Sequence, residues 1–226
     1  MYKEAGKLFF SPTDLTTFVK SPFASWMQRF EVELPLSAPE KDPESEMTKS
    51  LSQKGYEHEQ NLLDDLINQG LHVEEITDEL ITEEEHVPFN LKHQATIDAI
   101  DRKVDVVFQA ALQSGPFRGF ADFLIKKSTS SGQSYYEVWD TKLSSTIKPA
   151  HIIQLCCYTD ILITANAFKP DSFVVVLGSG EQERLYVDDF FHYYLALKDR
   201  FIRFHDEFDE NNMPDPANSR RLIPAP

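Results

Sequence analysis

Two short segments of the sequence place acidic residues among strongly apolar neighbours. The segment GFADFLI contains Asp122, and the segment EVWDTK contains Asp140 and Lys142. Side chains at positions i and i+2 of a strand lie on the same face, so Asp140 and Lys142 are expected to share a face. A carboxylate that is buried alone is costly, and on the hexapeptide alone a simple ion pair between these two residues is the plainest interpretation.

The preceding acidic strand changes this interpretation. If the two strands pair as a meander, Asp122 and Asp140 lie side by side. Two carboxylates about 4 Å apart repel by roughly 4 kcal/mol at an effective dielectric constant of about 20, and one lysine compensates only in part. A bound Mg²⁺ or Mn²⁺ would stabilise both acids, because these ions take carboxylate, water and phosphate oxygens. Such a metal with a lysine beside it is suited to phosphodiester hydrolysis.

Helices are predicted for the N-terminal part of the chain. Ser11 and Pro12 are typical of a helix start, and Pro22 is expected to end this helix and open a second one. Residues 35–46 are rich in Pro and charge and predict a surface loop. Residues 54–69 predict an amphipathic helix. Its inward side chains are expected to be Leu62, Leu63, Leu66 and Ile67.

The rest of the chain predicts strands interrupted by helices. The strand candidates are residues 104–112, 117–127, 134–143, 171–178 and 183–187, with one or two more around 71–88. Helices are expected at residues 93–102, 148–164 and 189–207. This order predicts an α/β domain over residues 1–208, with a mixed central sheet flanked by helices. Residues 209–226 are Pro-rich and predict a tail or linker, in keeping with a piece of a longer protein.

The charge of the chain limits how it can bind other molecules. A net charge of -15 argues against holding nucleic acid by bulk positive potential, although phosphate can still bind where a cation faces it. The acidic residues at 74–85 are expected to form solvated surface. No apolar run approaches the roughly 18 residues of a membrane span, and the start lacks the apolar region of a signal peptide. A soluble cytoplasmic protein without a membrane partner is expected.

The charged strands resemble those of the PD-(D/E)xK nuclease superfamily and, within it, of the RecB-like exonucleases, including the CRISPR-associated ones. GFAD supplies the first acid, Asp122, and EVWDTK supplies the D-x-K pair, Asp140 and Lys142. The resemblance spans roughly residues 8–208, with its elements in the expected order. It implies a restriction-endonuclease-like core.

Two helices add to the resemblance. Gln154 and Tyr158 match the Q-x-x-x-Y that is typical of the RecB-like branch, and positions i and i+4 share one helix face. The segment GYEHE matches the helix that carries a histidine ligand in that branch, and His58 is the counterpart. The matches in the two strands and the two helices are together more specific than D-x-K alone.

The resemblance implies a role for each matching residue. The catalytic residues would be Asp122, Asp140 and Lys142, with Lys142 positioning or activating the attacking water. The ligands of Mg²⁺ or Mn²⁺ would be His58, Asp122, Asp140 and the backbone carbonyl of Thr141. The residues that line the site and contact DNA would be Gln154 and Tyr158.

The cysteines depart from the pattern of many RecB-like enzymes. Those enzymes carry four cysteines for an iron–sulfur cluster, whereas this chain has only the neighbours Cys156 and Cys157. Ser21-Pro22 stands where the first cysteine of the cluster usually occurs. We therefore expect no iron–sulfur cluster. We also expect the two thiols to be reduced and to serve as packing groups of a helix.

The implied function is a metal-dependent DNA nuclease, expected to be an exonuclease on single-stranded DNA or DNA with free ends, in repair or defence. Two alternatives stay open. The domain could be a non-catalytic module that binds DNA ends or a partner protein. It could also be a hydrolase directed at RNA or nucleotides, because a fold does not determine its substrate.

Overall fold

The computed structural model describes residues 1–40, 42–43, 45–77, 87–166 and 168–216. The predicted acidic run after residue 77, the second strand expected near it and the end of the tail after residue 216 lie outside these ranges. A domain boundary near residue 208 stays a prediction.

The described chain combines a two-stranded hairpin, a six-stranded sheet and helices. The strands are β1 (Tyr2–Glu4), β2 (Lys7–Phe9), β3 (Val73–Glu75), β4 (Val106–Ser114), β5 (Phe117–Ser128), β6 (Ser134–Lys142), β7 (Ser172–Leu177) and β8 (Gln182–Tyr186). The helices are α1 (Pro12–Lys20), α2 (Pro22–Glu33), α3 (Glu46–Asn68), α4 (Phe89–Asp101), α5 (Pro149–Asn166) and α6 (Asp188–Asp206). Within the described ranges, none of these helices has the length and apolar character needed to cross a membrane.

The large sheet is mixed. Its strand order is β3-β4-β5-β6-β7-β8. The β4–β5, β5–β6 and β7–β8 pairs are antiparallel, whereas β3–β4 and β6–β7 are parallel. The long connection that parallel strands require is supplied between β6 and β7 by α5. The predicted mixed sheet flanked by helices is confirmed.

Local capping explains where the first two helices begin. The Ser11 side chain accepts a hydrogen bond from the backbone N–H of Asp14, whose carboxylate accepts from the Ser11 backbone N–H at 2.7 Å. This reciprocal capping satisfies N–H groups that the helix itself cannot satisfy. The Ser21 side chain caps α2 without reciprocation by accepting a hydrogen bond from the backbone N–H of Ala24, and Pro22 follows as the first helical residue. The two predicted helix starts are confirmed.

Helix α3 covers one face of the sheet. Leu62, Leu63 and Leu66 are buried and belong to one apolar cluster with side chains from β4 to β7. The prediction for Ile67 is wrong, because its side chain is 51% exposed. Ile67 follows Leu66 by one residue, about 100° further round the helix, which turns it away from the sheet. The helix also begins at Glu46, earlier than predicted.

The opposite face of the sheet is covered by α1, α4, α5 and α6, whose buried side chains share the larger apolar cluster with β4 to β7.

The hairpin of β1 and β2 was missed by the sequence analysis. Its two-residue turn, Ala5-Gly6, has φ angles of 49° and 78°, so both residues are left-handed. Such turns favour Gly or Asn, and Ala5 therefore provides a poor sequence signal.

Candidate active site

Strands β5 and β6 bring the two acidic residues together near the middle of the sheet. The strands are antiparallel, and their pairing places Phe123 opposite Trp139. Continuing this register by one residue places Asp122 opposite Asp140. The predicted meander is therefore confirmed, and the two carboxylates belong to neighbouring strands.

The regular pairing of β5 and β6 ends at Asp122. The backbone N–H of Thr141 donates to Asp122 Oδ2 at 2.8 Å, and its hydroxyl donates to the same oxygen at 3.1 Å. The Asp122 side chain thus occupies the place of a backbone acceptor between the two strands. On the other side of β5, Gln109 faces Asp122 and has a φ of 53°, in the left-handed region. Strain of this kind in a non-glycine residue is frequent at functional sites.

Asp140 and Lys142 form the ion pair that their spacing predicts. Lys142 Nζ lies 2.5 Å from Asp140 Oδ2, and the Asp140 side chain is 1% exposed. The Lys142 ammonium is the contact of Oδ2, whereas Oδ1 of Asp140 has no hydrogen-bond partner within the described part of the chain. Buried polar atoms without partners are uncommon and call for a physical explanation.

Burial and mutual repulsion disfavour ionisation of both carboxyl groups. Burial, and then the charge of Asp122, raise the pKa of Asp140 to about 7, against the opposing effect of Lys142. Burial also raises the pKa of Asp122, although Lys142 and the hydrogen bonds from Thr141 oppose the rise. Burial acts to lower the pKa of Lys142, but Asp140 and Asp122 outweigh it and raise that pKa. Lys142 is therefore a stable ammonium that can donate hydrogen bonds but cannot take up a proton.

Glu59 is a candidate residue that the sequence analysis missed. It extends from α3, and burial, followed by the charge of Asp122, raises its pKa to about 7. The Gln109 side-chain amide donates a hydrogen bond to Glu59 Oε1. A periodic signal was present, because Glu59 precedes Leu62, Leu63 and Leu66 by three, four and seven residues and so shares their helix face.

His58 lies next to Glu59 but makes a different contact. Its Nε2 is 3.3 Å from the backbone oxygen of Val176 on β7, and the side chain is partly exposed. The role of His58 as a metal ligand stays a prediction, as does that of the Thr141 carbonyl.

Gln154 and Tyr158 are placed on α5, on the other side of the sheet from α3. Tyr158 is 5% exposed. Burial, followed by the charges of Asp122 and Asp140, raises the pKa of its phenol. A Cβ on Gly119 would lie 2.9 Å from Tyr158 Cε1, so this packing requires glycine at position 119. Direct contact of Gln154 and Tyr158 with DNA stays a prediction.

The two cysteines lie in the same helix and point into the core. Cys156 and Cys157 are free thiols and are fully buried. Burial raises the pKa of each to about 12. Both are therefore protonated at neutral pH and act as small packing groups.

The carboxylates fit a small divalent cation. Across the described ranges there is no group of three or more His, Cys, Asp or Glu side chains placed to hold a metal. Mg²⁺, however, commonly binds through one or two carboxylates and completes its shell with water and phosphate oxygens. Asp140 offers two buried oxygens, of which, within the described ranges, Oδ1 has no hydrogen-bond partner and Oδ2 meets only the Lys142 ammonium, beside a second carboxylate on Asp122. A divalent cation would favour ionisation of both, so these residues suit Mg²⁺ or Mn²⁺.

Comparison with known proteins adds one distant likeness. No protein-family model matches the chain, and no curated protein matches it. Among solved structures, the chain is similar to a protein described as a "putative exonuclease" from Eubacterium rectale. The TM-score is 0.44 and the identity 13%, over 98% of this chain and 91% of that chain. A likeness this weak carries no argument about activity.

Proposed function

We propose that the chain is a metal-dependent nuclease of the RecB-like branch of the PD-(D/E)xK superfamily. It would hydrolyse phosphodiester bonds of DNA, as an exonuclease on single-stranded DNA or DNA with free ends, in the cytoplasm and in repair or defence. The observation that carries the proposal is the buried pair Asp122 and Asp140. Among the described residues, Oδ1 of Asp140 has no hydrogen-bond partner, and Oδ2 is met only by the ammonium of Lys142.

Asp122 and Asp140 would hold Mg²⁺ or Mn²⁺, with His58 and the Thr141 carbonyl as further ligands. The bound metal would polarise the phosphate and lower the pKa of a coordinated water. The hydrogen bonds from Thr141 fix Oδ2 of Asp122. The other oxygen, Oδ1, would then be oriented to bind the metal. Rigid ligands of this kind keep the reacting groups in position.

Lys142 and Glu59 would supply the remaining chemistry. Lys142, as an ammonium, would orient the attacking water or neutralise negative charge on the phosphate. Glu59, whose pKa burial raises to about 7, would accept a proton from that water at neutral pH. Gln154 and Tyr158 would line the site on the side of α5.

The test is cleavage of end-labelled single- and double-stranded DNA, and of RNA of the same sequence, with Mn²⁺, Mg²⁺ or EDTA. We expect cleavage of DNA that requires metal, and the product ladder gives its direction. If RNA is cleaved faster than DNA, the proposed function changes from a DNA nuclease to an RNA-directed hydrolase. If none of these substrates is cleaved under any condition, the proposal is wrong.

A non-catalytic binding module is the second candidate. The specific observation in its favour is the closed Asp140–Lys142 pair, whose 2.5 Å contact neutralises part of the charge without a metal. A Mn²⁺ titration by calorimetry separates the two candidates. If the chain is a nuclease, the wild type binds Mn²⁺ and the Asp140→Asn variant does not. If it is a binding module in which Lys142 neutralises Asp140, neither protein binds Mn²⁺.

A further inference from the structure

A cavity of about 430 Å³ lies between α1 and the start of α5. Its lining combines the apolar residues Val19, Pro149, Ala150 and Ile153 with basic and polar side chains. The basic and polar side chains are Thr13, Thr16, Lys20, Lys148, His151 and Gln154. The helices thus contribute basic groups from two distant parts of the sequence to one concave surface.

The charge of this cavity differs from that of the chain as a whole. The sequence has 37 acidic and 22 Lys and Arg residues, yet none of the described residues lining the cavity is acidic. Lys20 and Lys148 are both exposed. Among the described residues, neither ammonium has an ion-pair partner, unlike Lys169, which pairs with Asp188. The cavity therefore keeps positive charge that an anionic ligand could neutralise.

His151 adds a directed donor to the two ammonium groups. Its Nδ1 accepts a hydrogen bond from the backbone N–H of Lys148 at 3.3 Å, so the ring proton is on Nε2. Burial, followed by the charges of Lys142, Lys148 and Lys20, lowers the pKa of His151 to about 4. The ring is therefore neutral at pH 7 and can donate from Nε2. The same positive environment extends from the cavity to Lys142.

Helix α5 relates the cavity to the candidate active site. Gln154 lines the cavity, and Tyr158 follows it by one helical turn on the same face. The phenol of Tyr158 lies within the electrostatic influence of Asp122 and Asp140, and His151 in the cavity lies within that of Lys142. This arrangement suits an extended anionic chain with one phosphate at the carboxylates and another at the cavity.

We propose that this cavity binds a phosphate group of the nucleic acid strand, next to the phosphate that is cleaved, through Lys20, Lys148 and His151. The inference rests on the proposed nuclease function and names the part of the substrate that is held outside the reacting centre. Lysine is a common ligand of phosphate oxygens, and contacts of this type position a strand without reading its sequence. The bound group is either an internal phosphodiester or a terminal phosphate.

The test compares DNA binding by the wild type and by the double variant Lys20→Gln/Lys148→Gln. The probe is a fluorescently labelled single-stranded oligonucleotide in EDTA, measured by anisotropy at several salt concentrations. Lys169→Gln is the matched control, because it removes one exposed ammonium at the opposite end of α5. We expect the double variant to bind about tenfold more weakly or worse, and to lose about 0.7 from the slope of log K against log salt, for the one lost phosphate contact.

Each outcome decides the inference. The inference is overturned if the double variant has the affinity and the salt slope of the wild type. It is also overturned if the wild type does not bind the oligonucleotide at low salt. If a 5′- or 3′-phosphorylated oligonucleotide binds more tightly than its hydroxyl counterpart, and only to the wild type, the cavity holds a terminal phosphate; equal binding indicates an internal one.

Because binding is measured without turnover, the two proposals can fail separately. A wild type that binds through the cavity but cleaves nothing would refute the nuclease function alone. If the wild type cleaves DNA and the double variant binds DNA as tightly as the wild type does, only the proposed phosphate binding in the cavity is refuted.

Discussion

The Asp140→Asn variant is expected to be more stable than the wild type at pH 8 in the absence of metal. Asp140 is buried, and among the described residues its Oδ1 lacks a hydrogen-bond partner while its Oδ2 is met only by the Lys142 ammonium. Burial, and then Asp122, raise its pKa from the ordinary 3.8 to about 7. Ionised Asp140 therefore destabilises the fold, and an asparagine of nearly the same shape removes that charge.

The sign of the effect follows from proton binding. Between about pH 4 and pH 7 the folded state binds more protons at Asp140 than the unfolded state does, so the stability of the wild type falls as the pH rises. Each pKa unit corresponds to about 1.4 kcal/mol, so the rise of the Asp140 pKa sets an upper limit of about 4 kcal/mol. The pKa of about 7 already includes the attraction of Lys142, so the loss of this partner in the variant is not subtracted again, and a gain of about 2–4 kcal/mol is expected at pH 8. The gain should disappear near pH 4.

Urea unfolding followed by tryptophan fluorescence at several pH values measures this difference. In EDTA the two stability curves should diverge between pH 4 and pH 8. Mn²⁺ at about 100 times its Kd should then add about 2.7 kcal/mol to the wild type and little to the variant. Asp64→Asn, an exposed change on α3, is the control and should follow the wild type. A variant less stable than the wild type at pH 8, or equal stabilisation of both by Mn²⁺, would refute the reasoning.

Four further predictions concern the carboxylates and the packing of the helices near them. Glu59→Gln should weaken Mn²⁺ binding about tenfold, because this carboxyl lies within the electrostatic influence of Asp122. His58→Ala should also weaken it, and an unchanged Mn²⁺ titration would remove that histidine from the metal ligands. Gly119→Ala should destabilise the chain by about 1–3 kcal/mol in urea unfolding, because the new Cβ would lie 2.9 Å from Tyr158 Cε1; unchanged stability would contradict this close packing. The two neighbouring cysteines of α5 should react with a thiol reagent only after unfolding, since burial raises their pKa values to about 12; rapid labelling of the native chain would argue against their burial.

Features that depend on neighbouring residues were predictable from the sequence. Ser11 and Ser21 cap the first two helices because their side chains reach N–H groups three residues later. The meander of β5 and β6 follows from two strands joined by a short turn, and it brings Asp122 opposite Asp140. The alternation of side chains along β6 then places Asp140 and Lys142 on one face.

Features that depend on distant residues were not predictable. The helix period places Glu59 on the apolar face of α3, but its position beside Gln109, which is in a left-handed conformation, depends on a distant strand. The cavity between α1 and α5 joins Lys20 and Lys148, which nothing in the local sequence links. Both features arise only when the sheet aligns helices from separate parts of the chain.

Single-turnover cleavage of end-labelled single-stranded DNA tests the central claim most directly. The assay compares the wild type, Lys142→Met and the matched exposed control Lys169→Met, each with Mn²⁺ and with EDTA. The account predicts cleavage by the wild type and the control in Mn²⁺ alone, and a rate at least about 100-fold lower in Lys142→Met. Cleavage that persists in EDTA, or Lys142→Met with the full rate of the wild type, would contradict a metal-dependent site built on Asp122, Asp140 and Lys142.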